Sequence, residues 1–275
     1  MKLVALALAC VACVACSACS AASPAAPDAA PRAPGDDAGD AGTGDEAAAA
    51  TVDVSGSVVD SLGAPWASAT VQVCSATVCT LGKADSAGAF SVAVPPNDHY
   101  HVIAHASPTD PRNASAGIGV VPTLVTSDTA LASPVVVPVT GAIVSLHADA
   151  GAFDAAVTSD LTLSGSAADL AFGGDAYLAA VRLDASAWPA FSIPGETILA
   201  IWALNPWGTH ATPQETIAVA IENGFGLAPG DTASVFTVDE TTAELGAPST
   251  ATVSDDGATL AGATIDRITW IVLAH

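Results

Sequence analysis

From residue 52 onward the chain alternates short apolar runs with turn residues. VDVSGSVVD, ATVQVC, AFSVAV and HYHVIAHA come first; PVVVPV, AIVSLHA, LTLSG, YLAAVRL, TILAIWAL, TIAVAIE, ASVFTV and ITWIVLA follow. Runs of about four to eight residues, broken by Gly, Pro, Asp and Ser at intervals of roughly 8–12, predict the strands of a sandwich or barrel. No helical period of 3.6 with caps is sustained. The expected fold class is therefore all-β, with two β-sandwich domains over residues 51–110 and 135–275. Residues 111–134 read as a linker or edge strands, with Pro122, Pro134 and Pro138 nearby. Within AFSVAV, Phe90, Val92 and Val94 share one face and are expected to point into a core. Gly63 and Gly88 stand where turns call for positive φ.

The first 50 residues break this pattern. Residues 1–19, MKLVALALACVACVACSAC, carry Lys2 and then an apolar run. That run is shorter than the ~20 residues a spanning helix needs, and it reads as the apolar region of an export signal. Residues 20–50 are Ala, Pro, Gly and Asp with few large side chains, and read as a disordered acidic tether. Asp36, Asp37, Asp40 and Asp45 lack the spacing of a calcium loop and read as solvated charge.

This start resembles the signal of bacterial lipoproteins, in which a small residue precedes the cysteine that becomes lipidated. Cys10, Cys13, Cys16 and Cys19 all follow Ala. The first two leave a very short apolar region; Cys19 is the expected site, because its use strands no other thiol, with Cys16 as alternative. None has the usual Leu three residues upstream, and ordinary cleavage after Ala21 or Ala22 stays open. The expected location is the cell envelope, as an outer-membrane lipoprotein facing the periplasm or the surface, touching the membrane only through its lipid.

Charge narrows the partners. There are 28 acidic residues against 6 basic ones, for a net charge of −22, which repels phosphate backbones and excludes nucleic acid. Hydrophobic residues make up 51% of the chain but aromatics only 5%, so the hydrophobic share reflects Ala and Val rather than membrane-embedded surface.

Candidate chemistry is sparse. Cys74 and Cys79, in TVQVCSATVCT, are separated by four residues with Val alternating on both sides, and predict a disulfide across a hairpin in an oxidising compartment. A zinc site would want two further ligands. His99, His101 and His105 share strand parity and could show three imidazoles on one face, with Asp98 or Asp110 adding oxygen; the competing reading is a solvent-facing strand. Trp66 and Trp207, both in Pro-containing turns, are candidates for stacking on sugar rings, whereas Trp202 and Trp270 lie in apolar strands and read as core. The 224–230 segment has three glycines but no following Lys or helix, and reads as a hairpin turn. Neither G-x-S-x-G nor H-E-x-x-H occurs. No cofactor and no catalytic residue is expected.

Residues 54–106 resemble the carboxypeptidase regulatory-like domain, a small transthyretin-like sandwich. The resemblance lies in the opening strand from Val54 to Asp60, Gly63-Ala64-Pro65, Ala69-Thr70-Val71, and the turn Asp85-Ser86-Ala87-Gly88-Ala89-Phe90, then Pro95 and Tyr100-His101-Val102. It implies an accessory or adhesive module without catalytic residues. Residues 201–275 are similar to the sandwich domain of ankyrins and netrin receptors, through Leu204-Asn205-Pro206-Trp207-Gly208, Gly226-Leu227-Ala228-Pro229-Gly230 and Asp255-Asp256-Gly257. Ala243-Glu244-Leu245 and Thr269-Trp270 replace that family's usual Trp and Phe-Ser. The expectation is a non-catalytic interaction or structural module of the cell envelope, its partner an unidentified protein or glycan. The alternative is a carbohydrate- or metal-binding accessory module.

Overall fold

Phe90, Val92 and Val94 do turn inward, on a strand whose exposure alternates at every residue. The structure is a computed structural model that describes residues 50–106, 113–146, 151–172 and 177–275. The export signal, Cys16, Cys19, nearly all of the tether and Asp110 lie outside the described residues. Eight strands form the first sandwich: β1 (Val52–Asp60), β2 (Thr70–Cys74), β3 (Cys79–Lys83), β4 (Ala89–Val94), β5 (His101–His105), β6 (Gly117–Val120), β7 (Thr129–Ala130) and β8 (Val135–Val137). One sheet has β1 between β4 on one edge and β7 and β8 on the other; the second runs β3-β2-β5-β6. Val54, Val58, Val71, Val73, Val102 and Val135 fill the space between them, each contributing ~1.5–3 kcal/mol by leaving water. The first sandwich thus continues to Val137 rather than ending at residue 110. Within the 113–134 stretch β6 and β7 belong to it, and so does Val135–Val137, because the chain returns parallel to β1.

Its turns explain their sequence. The Asp60 Oδ1 accepts from the Leu62 and Ala64 N–H groups at 2.9 Å. The Asp85 Oδ1 accepts from Ala87 and Ala89 at 2.8 Å. Gly88 has φ of +77°, and a Cβ there would lie 2.4 Å from the Val58 carbonyl oxygen, so both conformation and space demand glycine.

The remaining strands are β9 (Val144–Ser145), β10 (Ala152–Ala156), β11 (Leu161–Ser166), β12 (Tyr177–Arg182), β13 (Ile198–Asn205), β14 (Thr209–His210), β15 (Ile217–Glu222), β16 (Thr232–Thr237), β17 (Ser249–Val253), β18 (Thr259–Ile265), β19 (Arg267–Ile268) and β20 (Ile271–Ala274). Ten form one sheet in the order β10-β11-β15-β18-β17-β16-β20-β13-β12-β9, and β14 pairs with β19. Leu163, Ile217 and Leu260 near one end of this sheet meet Trp202, Leu204 and Leu273 near the other in a single apolar cluster, so the sheet folds over on itself as a second sandwich.

Residues of β13 and β20 are buried on both faces. Trp202 and Leu204 point into that cluster, while Ile201, Ala203, Trp270 and Val272 point the other way and meet Ile103, Ala116 and Ile118 of the first sandwich. Strands covered on both sides read as unbroken apolar runs, which is the pattern of TILAIWAL and WIVLA. All described residues fall in one compact unit, and the chain is all-β, with two short 3₁₀ turns among the described residues.

Candidate functional site

The outer face of the β3-β2-β5-β6 sheet gathers most of the residues with chemical potential. Register places three rows across it: Cys79, Cys74 and His101; Leu81, Gln72 and Ile103; Lys83, Thr70 and His105. The first row carries the expected disulfide between Cys74 and Cys79, which pins the β2–β3 hairpin at its end.

The histidines do not assemble as a metal site. His99 lies ahead of β5 and is exposed, and only His101 and His105 stand on the strand. Four steps of strand from one to the other separate those two by ~13 Å, beyond the span of one ion. Among the described residues no three His, Cys, Asp or Glu side chains converge as ligands. At β5 this face is closed to solvent, because Ile103 between the two histidines is fully buried against the second sandwich, whereas at β3 Cys79, Leu81 and Lys83 stay exposed. Burial holds the His101 imidazole below its ordinary pKa, with nearby Glu244 opposing and His99 adding to the fall. Burial alone lowers His105, whose ring meets Trp207 edge-on with centroids 6.3 Å apart. Asp98 is held below the usual carboxylate range by the Ser75 hydroxyl and the His99 N–H, and it also accepts from Thr77 Oγ1 at 3.2 Å.

The two candidate stacking tryptophans part company. Trp66 is fully buried in the first core, so it offers no surface to a sugar. The turn at residues 61–65 folds back over β1, where the Trp66 N–H donates to the Val58 carbonyl at 2.9 Å. Trp207 is half-buried and follows a cis Asn205–Pro206 bond. Its N–H donates to Asn205 Oδ1 at 3.0 Å, and its ring packs on the layer shared by the sandwiches. Trp202, in β13, and Trp270, in the link just before β20 rather than in a strand, are both core.

Two charged groupings have no sequence signal, since their members are far apart along the chain. In one, the Arg267 Nη1 reaches Asp239 at 2.9 Å and Glu240 at 2.8 Å, its Nε reaches Asp266 at 3.1 Å, and His210 meets Glu240 at 2.6 Å. Asp239 also accepts from the Thr241 and Thr242 N–H groups at 2.9 Å. Burial pushes Asp239 up, but these bonds and Arg267 leave it below the usual carboxylate range. The cluster flanks a hollow of about 260 Å³; its carboxylates are spent on bracing the 239–245 turn and β19. In the other grouping, the Asp160 Oδ2 accepts from Arg182 Nη1 at 2.8 Å and its Oδ1 from Trp202 Nε1 at 3.1 Å. The Arg182 guanidinium lies 5.6 Å from the Trp202 ring and 5.3 Å from that of Phe225. These contacts tie the turn before β11 to β12 and β13 across the core.

No protein-family model matches this chain, and no curated protein matches it either.

Proposed function

We propose that the chain is a non-catalytic interaction module of the cell envelope, exported by its first 19 residues and held at the membrane by a lipid on Cys19. One observation carries the reading: the side chains able to do chemistry are used for bracing. His101 and His105 line the layer between the sandwiches, Trp66 and Trp270 fill cores, and Arg267 ties three carboxylates together. A doubly buried layer of this kind makes a stiff body that can present a surface at the end of a tether. The Cys74–Cys79 disulfide supports an oxidising compartment. The resemblance of residues 54–106 to carboxypeptidase regulatory-like domains points to the same accessory role. No helix among the described residues is long and apolar enough to cross a membrane, and the lipid is the proposed contact.

The test is to express the full chain in a Gram-negative host and weigh its mature N-terminus. A diacylglyceryl-modified cysteine, lost in Cys19→Ala along with detergent-phase partitioning, is the expected outcome. An unmodified N-terminus after Ala21 or Ala22 would sink the lipid anchor, and reduced Cys74 and Cys79 in fractionated cells would sink export.

A further inference from the structure

A groove runs along the second sandwich to its junction with the first, and its two hollows share Val181 and Arg182. The larger, about 740 Å³, is walled by the 156–160 turn and Glu222. The smaller, about 290 Å³, is walled by the β1–β2 turn and Asp184. β12 passes between them with one edge open. On that side β9 pairs only with Tyr177 and Leu178, and the Gly141 N–H donates to the Ala180 carbonyl at 3.1 Å. Beyond Ala180 no strand among the described residues covers this edge, while β13 occupies the opposite one as far as Arg182. The Leu183 N–H donates to Ile201 at 2.9 Å on the β13 side. By the alternation of an antiparallel ladder, the main-chain N–H and C=O of Arg182 therefore face the groove.

The surroundings describe what would lie there. Asp184 and Glu222 are exposed, and among the described residues neither has an ion-pair partner. Arg182 is already matched by Asp160, so the walls carry net negative charge. Leu62 is 93% exposed and Ile143 55%; each directly follows a residue that lines a hollow, Ser61 in one and Ala142 in the other, which puts an exposed apolar residue next to each hollow. The geometry points to an extended, basic polypeptide segment of a partner protein as the ligand. Its main chain pairs with the free edge of β12 at Arg182, its Lys or Arg side chains reach Glu222 and Asp184, and its apolar side chains lie on Leu62 and Ile143. An open strand edge supplies affinity through the main chain, and hollows beside it supply side-chain selection. A neutral glycan would leave both apolar residues and the ladder edge unused. It would also find no aromatic platform here, because Trp202 is buried and Arg182 lies over Phe225.

This assignment rests on the interaction-module reading and names its partner class. The test uses the full-length mature chain and a fluorescein-labelled decapeptide of alternating Lys and Val, read by fluorescence anisotropy. Asp184→Asn/Glu222→Gln is expected to weaken binding about tenfold. Asp255→Asn/Glu215→Gln, the same charge change elsewhere, leaves it unchanged. Methylating one of the two alternate sets of peptide amides abolishes binding, and methylating the other does not. No binding, equal loss in both double variants, equal behaviour of the two methylated peptides, or displacement by a neutral oligosaccharide would each overturn the proposal. None of these outcomes bears on the lipidated N-terminus, which is read separately by mass.

Discussion

The Trp270 indole Nε1 donates to the Ala116 carbonyl at 2.8 Å, with both residues buried. This bond joins the residue just before β20 to the lead-in of β6, 154 residues earlier. Beside it the Ser115 hydroxyl donates to the Leu204 carbonyl at 2.7 Å, and Asn205 Nδ2 donates to Asn113 Oδ1 at 2.5 Å. The apolar layer between the sandwiches is therefore fixed in register by polar contacts that a slipped arrangement would leave unpaired. That is the energetic reason for the two sandwiches to behave as one body: a buried polar group without a partner costs about 1–3 kcal/mol.

Trp270→Phe keeps most of the apolar volume but strands the Ala116 carbonyl, and is expected to cost about 1–3 kcal/mol. Trp270→Ala adds a cavity and is expected to cost about 3–5 kcal/mol. Urea unfolding followed by far-ultraviolet circular dichroism and by tryptophan fluorescence checks both. The two signals should stay coincident in Trp270→Phe; two separated transitions in the unaltered chain would contradict the shared layer.

At Gly88 the Cβ of an alanine would meet the Val58 carbonyl oxygen at 2.4 Å and would sit at φ of +77°. Gly88→Ala is expected to destabilise by more than ~1 kcal/mol, since strain at positive φ and a backbone clash add. Gly63→Ala faces the same φ penalty, at +81°, but with open space around it, so its loss should be smaller. Comparing the two by thermal unfolding separates conformation from clash.

The N-terminal sandwich was largely legible because its strands alternate and its turns carry Asp and Gly at telling positions. Asp85 and Gly88 show this, as do Phe90, Val92 and Val94. The interface was not. His101-Val-Ile-Ala-His105 reads equally well with its outer side chains in solvent or against a second sheet, and one buried residue, Ile103, decides between the two. Pro65-Trp66 has the composition of a surface turn, yet the turn folds inward and buries the indole. β17 and β18 are rich in Ala, Thr and Gly, so their strand character comes from pairing rather than from large apolar side chains. The groupings around Arg267 and Asp160 depend on long-range closure of a ten-stranded sheet, and no local spacing announces them.

The disulfide closes a short segment, with a sequence separation of 5 between Cys74 and Cys79. On the chain-entropy view such a loop is worth only about 2 kcal/mol. Cys74→Ser/Cys79→Ser is thus expected to fold, with its urea midpoint lowered accordingly. Failure to fold would mean that the hairpin end also orders the 241–244 segment, whose Thr241 carbonyl lies 3.7 Å from Cys79 Sγ.

Asp160→Asn tests the tie across the second sandwich. The carboxylate side chain is only 14% exposed, and it accepts from Arg182, Trp202 and, at 2.7 Å, Thr158. The amide removes the charge and can satisfy only part of this set, so a loss of about 1–3 kcal/mol is expected. Arg182→Ala should cost less, because its guanidinium is 44% exposed and can be replaced by water. A double-mutant cycle on urea midpoints would show coupling between the two positions; additivity would contradict the tie.

Acid should loosen the layer between the sandwiches before it affects the carboxylates. Burial holds His101 and His105 below the ordinary histidine pKa of about 6.5. As pH falls through 6.5 the unfolded chain takes up protons that the folded chain resists, so stability declines from near pH 7 downward. The decline continues until the folded-state values are passed. The groups facing these rings are Glu244 and His99 near His101, and Trp207 against His105. Glu244 opposes and His99 reinforces the effect of burial at His101, whereas burial acts alone at His105, so each single variant, His101→Gln or His105→Gln, should remove part of the slope. Asp160 and Asp239 are held below the usual carboxylate range, and the stability they lend is lost only below about pH 4. Urea unfolding at intervals between pH 5 and 8 separates the two regimes. The double variant His101→Gln/His105→Gln should be nearly flat over that window, and an unchanged slope would place the titrating groups elsewhere.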